Sequence, residues 1–154
     1  MKRSLLLSIV VSTAAVVIGV GAAAAHSGTA SIARATTVKA ASSSLGRIVV
    51  DAKGRTLYLF EKDARGRSSC SGACAQAWPP LLTSGKPSAG KGASASLLGV
   101  TRRANGTRQV TYRGHPLYRF SGDTQPGQTN GEGSHAFGAG WYALTPAGKK
   151  IDND

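Results

Sequence analysis

The stretch Val50-Asp-Ala-Lys-Gly54-Arg-Thr-Leu57-Tyr58-Leu-Phe60-Glu-Lys-Asp63 returns sixty residues later as Val110-Thr-Tyr-Arg-Gly114-His-Pro-Leu117-Tyr118-Arg-Phe120-Ser-Gly-Asp123. The match needs no gap and is identical at Val50/Val110, Gly54/Gly114, Leu57/Leu117, Tyr58/Tyr118, Phe60/Phe120 and Asp63/Asp123. A fixed offset carrying that many identities marks an internal duplication. A lone hairpin is marginal in water, so two related units sharing one core are expected, unit one over residues 45–82 and unit two over 97–151.

Working outward, Gly46 to Val50 and Arg55 to Phe60 flank Asp51-Ala-Lys-Gly54, the composition of a β-hairpin whose glycine takes the positive φ of a type I turn with a bulge. Tyr58 and Phe60 fall on one face of the second strand and Leu57 and Leu59 on the other, so both faces need cover. Val100–Ala104 and Arg108–Tyr112 bracket Asn105-Gly106, a second hairpin. Strands over Leu117–Phe120 and Trp141–Leu144 complete the count, and Cys70 to Trp78 suits one short helical turn ended by Pro79-Pro80. Residues 83–96 read as a flexible crossing, and the glycine-rich loop 121–140 as mobile or built for close backbone approach. The fold class expected is mainly β: one compact domain of two hairpin-containing units with long Gly-rich loops and a short helical turn after Cys70.

Upstream, Lys2-Arg3 precedes an uncharged apolar run, Leu5 to Ala25, that ends in small residues. This is the pattern of a secretory signal over residues 1–25, cleaved before His26, with an uncleaved membrane anchor as the alternative. Residues 26–44, almost all Ala, Ser, Thr and Gly, hold too little apolar surface to order themselves and are expected to be a disordered linker. The 154-residue chain carries 19 Lys and Arg against 7 Asp and Glu, a net charge of +12. That excess attracts polyanions in general. The basic residues are scattered and aromatics are 6%, which argues against specific nucleic-acid recognition and leaves an anionic wall polymer or a membrane surface as the partner to consider.

Further pieces are C-x-x-x-C-A-x-x-W-P-P from Cys70 to Pro80, Arg113-Gly-His-Pro-Leu-Tyr118, Asp123-x-x-Pro-Gly127 and Gly140-Trp-Tyr-Ala-Leu-x-Pro-x-Gly148. Together with the repeated Y-x-F-x-x-D they resemble the bacterial secreted-repeat family, predicted lipoproteins with a Yx(F/W/Y)xxD motif, over nearly all of residues 45–151. The resemblance implies an exported, envelope-associated protein and supplies no catalytic residues, the family having no settled activity. The first 69 residues contain no cysteine, so N-terminal lipidation has no acceptor.

Cys70 and Cys74 are the only cysteines. In an oxidising exterior a structural disulfide is expected of them. The competing reading is a copper(I) site with His115 or His135 as third ligand, since soft thiolates select that ion; otherwise no cofactor is implied. Tyr58, Asp63, Tyr118 and Asp123 make either two equivalent polar sites or aspartate-stabilised turns. Trp78 and Trp141 belong in the core or, if exposed, form a platform for sugar rings. The chain has no G-x-S-x-G, H-E-x-x-H, P-loop or G-x-G-x-x-G. The resulting expectation is a non-enzymatic envelope module that binds an anionic or saccharide component, with a redox or copper-binding protein as the alternative.

Overall fold

The computed structural model describes residues 35–64 and 66–151, so the signal segment expected over residues 1–25 lies outside the described residues. Among the described residues, eight short strands and one five-residue helix make up the order β1 (Thr37–Ser43), β2 (Gly46–Asp51), β3 (Tyr58–Phe60), α1 (Ala73–Ala77), β4 (Ser88–Ala89), β5 (Leu98–Arg102), β6 (Arg108–Tyr112), β7 (His115–Pro116) and β8 (Trp141–Ala143). They form three small sheets, β2-β1-β4, β5-β6-β7 and β3-β8. The domain is mainly β, with two repeat units and one helical turn after Cys70.

The linker expected over 26–44 is in part a strand, residues 26–34 lying outside the described residues. Residues 37–43 form β1, which pairs antiparallel with β2 from Val38↔Asp51 to Ser43↔Gly46 and parallel with β4 at Thr37↔Ser88 and Val38↔Ala89. Only Val38 is fully buried. An Ala- and Ser-rich segment needs little side-chain burial when its backbone is paired, here with β2 along its length and with β4 at its start. Residues 83–96 are likewise tied down: β4 lies among them, and a 3-10 turn over Ala95–Leu97 leads into β5.

The expected hairpin of 46–50 with 55–60 is reduced to one bridge, Val50↔Thr56. Beyond it the chain leaves β2, because Tyr58–Phe60 pairs instead with β8, in the register Tyr58↔Ala143 to Phe60↔Trp141. Alternation along the segment is as the sequence implies: Tyr58 and Phe60 enter one buried cluster, Leu57 and Leu59 the other. The first cluster holds Ile48, Val50, Trp78, Tyr118 and Trp141; the second holds Val38, Val49, Leu81, Val110, Leu117 and Leu144.

The two repeat turns differ by one residue. In unit two, Arg113 (φ 48) and Gly114 (φ 81) make a two-residue loop, both in the left-handed region that a type I′ turn requires. In unit one, Asp51 N–H bonds Arg55 O and Gly54 N–H bonds Asp51 O, giving a three-residue loop with Gly54 at φ 83. Upstream of the turn the equivalence therefore slips: Leu57 N–H donates to Val49 O at 3.1 Å, whereas Leu117 N–H donates to Val110 O at 3.0 Å. The structural counterpart of Val110 is Val49, not Val50, and these two share a cluster from which Val50 is excluded.

Candidate functional site

The spacing Y-x-F-x-x-D has a local cause. Tyr and Phe, two apart on a strand, share a face. A turn then follows in which the Asp N–H bonds the Phe carbonyl, Asp63 to Phe60 at 3.0 Å and Asp123 to Phe120 at 3.1 Å. The turn brings each carboxylate back toward the core, where it meets the tyrosine of the other repeat. Tyr58 Oη donates to Asp123 Oδ2 at 2.6 Å, and Tyr118 Oη donates to Asp63 Oδ2 at 2.7 Å. Each remaining oxygen accepts a backbone N–H further along its own repeat: Ser69 on Asp63 Oδ1 at 2.7 Å and Asn130 on Asp123 Oδ1 at 2.9 Å. Burial pushes both phenols above their ordinary value, and the hydrogen bond and charge of the facing aspartate push further, so both hydroxyls remain donors.

The same exchange holds for the backbone and the aromatic rings. Tyr58 N–H bonds Tyr118 O at 2.8 Å and Tyr118 N–H bonds Tyr58 O at 3.0 Å. Phe60 stacks on Trp141 of the second repeat at 4.0 Å between centroids, and Phe120 lies tilted on Trp78 of the first at 4.4 Å. Between them Trp78 and Trp141 stack at 3.9 Å. Trp78 is 1% exposed and Trp141 0%, so neither offers a platform to a sugar ring. They are the centre of the core. Gly131 faces this stack: a Cβ there would meet the Trp78 ring at 2.8 Å, so the surplus glycine of loop 121–140 serves in part a close approach to the molecule's own core.

Around this shared frame the two tyrosine–aspartate nodes differ. The Asp123 node is buried, and Gly131 N–H closes on Tyr58 Oη at 3.3 Å. At the Asp63 node Tyr118 Oη also contacts Ser68 Oγ at 2.7 Å. Ser68 in turn accepts from Arg103 Nη1 at 2.7 Å. Arg103, 8% exposed, further donates from Nη1 to Gln109 Oε1 and from Nη2 to the Cys70 carbonyl. Gln109 Nε2 donates to Leu117 O, so the chain of polar groups spans both repeats. The sequence analysis assigned no role to Arg103, Ser68 or Gln109; that these polar side chains are drawn together shows only once the strands are paired.

On the other side of Asp63, His115 lines a hollow of about 260 Å³ with Phe60, Glu61 and Lys150. Burial lowers the His115 pKa, the Arg113 charge lowers it further, and Asp63 works in the opposite direction. Lys150 Nζ pairs with Glu61 at 3.0 Å and sits 4.4 Å from the Tyr142 ring centre. A third polar centre, absent from the sequence expectations, is Asp51. Burial alone would raise its carboxyl, but the Arg55 N–H, the Arg119 hydrogen bond and both guanidinium charges outweigh that and hold it below the usual range.

Cys70 and Cys74 are joined in a disulfide, with 5.3 Å between their Cα atoms. The copper reading fails on this pair, because metal ligation requires free thiolates. His135 is exposed on the glycine-rich loop and His115 lies in the Asp63 hollow. Among the described residues, no three His, Cys, Asp or Glu side chains are grouped to hold a metal ion, and no helix is long and apolar enough to cross a membrane.

A family model described as a secreted repeat of unknown function matches residues 39–82 and, a second time, residues 99–145. The chain belongs to this secreted-repeat family. The two matched segments are the two repeats, and the first begins inside β1. No curated protein and no solved structure matches the chain. The secreted-repeat assignment fits an exported protein that carries its disulfide into an oxidising exterior.

Proposed function

We propose that this secreted-repeat domain is a non-enzymatic module of the cell envelope that binds an anionic envelope component. The observation that carries the reading is the β5–β6 pair, which places Arg102 directly opposite Arg108. Like charges in register across a sheet are destabilising. Among the described residues neither is relieved by an acid: Arg102 Nη1 donates to the Gly106 carbonyl and Arg108 Nη1 to the Ser84 carbonyl. The three ion pairs among the described residues involve Asp51 and Glu61 only. Arg108 and Lys86 both line a hollow of about 440 Å³ between β4 and β5. An anion laid along this face relieves the repulsion that the fold itself leaves standing.

The test is binding of the exported protein to an anionic wall polymer over a salt series, with an Arg102→Ser/Arg108→Ser double variant alongside. Binding should fall steeply with salt, as surface charge attraction does. The double variant should lose it while gaining stability of about 0.2–1 kcal/mol. Polymer binding that is indifferent to salt and to both arginines would sink the proposal.

A further inference from the structure

The Arg103 guanidinium is a buried cation with no carboxylate partner among the described residues. Its three hydrogen bonds go to a hydroxyl, an amide oxygen and a backbone carbonyl, all neutral. Guanidinium has five N–H donors, so these acceptors do not exhaust it. An uncompensated charge withdrawn from water costs several kcal/mol in real proteins. Five of the seven acidic residues lie among the described residues, and none of the five pairs with Arg103.

Arg103 also lines a hollow of about 380 Å³, together with Ser68, Ser69, Ser71, Gly72 and Asn105. The wall is made jointly. Repeat one contributes the serine loop, fixed by the Cys70–Cys74 disulfide and by the Arg103 bond to Cys70 O; repeat two contributes Arg103 and the tip of the β5–β6 hairpin. Asn105 Oδ1 is already used by the N–H and hydroxyl of Thr107. Its amide nitrogen is therefore the end left for a ligand. A cationic residue in the lining with hydroxyl and amide donors around it is a donor set for a tetrahedral oxyanion.

We propose that this hollow binds a phosphoryl group, held by Arg103 with Ser71 and Asn105 at its rim. It rests on the envelope reading only for the source of that group, a polymer phosphodiester or a lipid headgroup; the site itself is separate from the Arg102–Arg108 face. It exists only in the paired repeats, since neither repeat supplies both walls.

The experiment is titration of the intact exported protein with inorganic phosphate at constant ionic strength, followed by calorimetry and by the shift in Tm. Asn105→Asp is the main variant. It keeps the acceptor that Thr107 needs, so folding should survive, and it sets a negative charge at the rim. Lys91→Gln is the control, an exposed lysine remote in sequence whose loss changes net charge by the same one unit. Saturable binding of one phosphate per chain, weakened at least tenfold in Asn105→Asp and within twofold of wild type in Lys91→Gln, supports the site. Arg103→Lys should weaken it as well, with folding checked by circular dichroism. No saturable binding, or an equal loss in Asn105→Asp and Lys91→Gln, overturns it. Glycerol-phosphate polymer and phosphatidylglycerol vesicles are then compared, the source being whichever loses affinity in Asn105→Asp. Polymer binding that depends on Arg102 and Arg108 but is untouched by Asn105→Asp removes the hollow and leaves the envelope reading standing.

Discussion

The Tyr58–Asp123 node and the Tyr118–Asp63 node are built from the same residues in the same order, yet one is sealed and the other is connected. At the first, backbone N–H groups of Asn130 and Gly131 complete the bonding and the loop closes over it. At the second, the corresponding space holds Ser68, Arg103, Gln109 and the disulfide loop on one side and His115 on the other. Duplication thus supplied a frame twice, and the polar elaboration sits on one copy. The residues common to both repeats explain the fold; those present in only one are where binding is to be sought.

The largest effect tests the frame itself. Trp78→Ala and Trp141→Ala should each cost about 3–5 kcal/mol in denaturant unfolding, because each ring is buried between the other tryptophan and the opposite repeat's phenylalanine. Near equality is expected; a large gap would mean that one repeat carries the core. Next come the aspartates. Asp123→Ala should cost roughly 2–3 kcal/mol and Asp63→Ala about 1 kcal/mol, since the latter carboxylate is only half buried. A double-mutant cycle sharpens this: Tyr58→Phe should couple to Asp123→Ala and be additive with Asp63→Ala within about 0.5 kcal/mol. Coupling inside a repeat instead would break the exchanged pairing.

A loss in the same range as for the aspartates, about 2 kcal/mol, is expected for Cys70→Ser/Cys74→Ser, the short closed loop lying at the low end of the chain-entropy scale. Its effect should be non-additive with Asp63→Ala and additive with Asp123→Ala, because only the first shares the serine loop. The smallest effect is titration. His115 has a lowered pKa in the fold, so the unfolded chain takes up the proton first as pH falls through about 6.5. Stability is therefore full above that pH and declines below it. His115→Gln should flatten the decline between pH 7.5 and 5 in denaturation midpoints. An unchanged slope would detach His115 from the Asp63 node.

Much of this was legible in the residues, though not evenly. The duplication, the β class, the helical turn after Cys70 and the β5–β6 hairpin all follow from short-range patterns that local sterics enforce. Residue equivalence, however, does not reveal which copy partners which. Nothing in Tyr58 or Asp123 says that they meet across repeats, because that contact is decided by where β3 finds its strand. β1 was illegible for a different reason: its pairing is carried by backbone groups, which composition does not encode. The one-residue difference between the turns at Gly54 and Gly114 escaped as well, since identical valines at positions 50 and 110 disguised it. Arg103, finally, looks like any surface arginine until Gln109 and the Cys70 carbonyl are seen around it.

The reciprocal bonds between Tyr58 and Tyr118 have a consequence for how such chains are assembled. When residue i of one half meets j of the other, and j of the first meets i of the second, the halves are related as the protomers of an isologous dimer are. The axis of that relation passes between the two tyrosine backbones. A chain with a single repeat would expose a tyrosine, an aspartate, a phenylalanine and a tryptophan with nothing opposite them, until a second copy arrived. A third repeat added in tandem would meet the same vacancy. Domains of this construction therefore grow by twos, and a lone repeat is a monomer in sequence only.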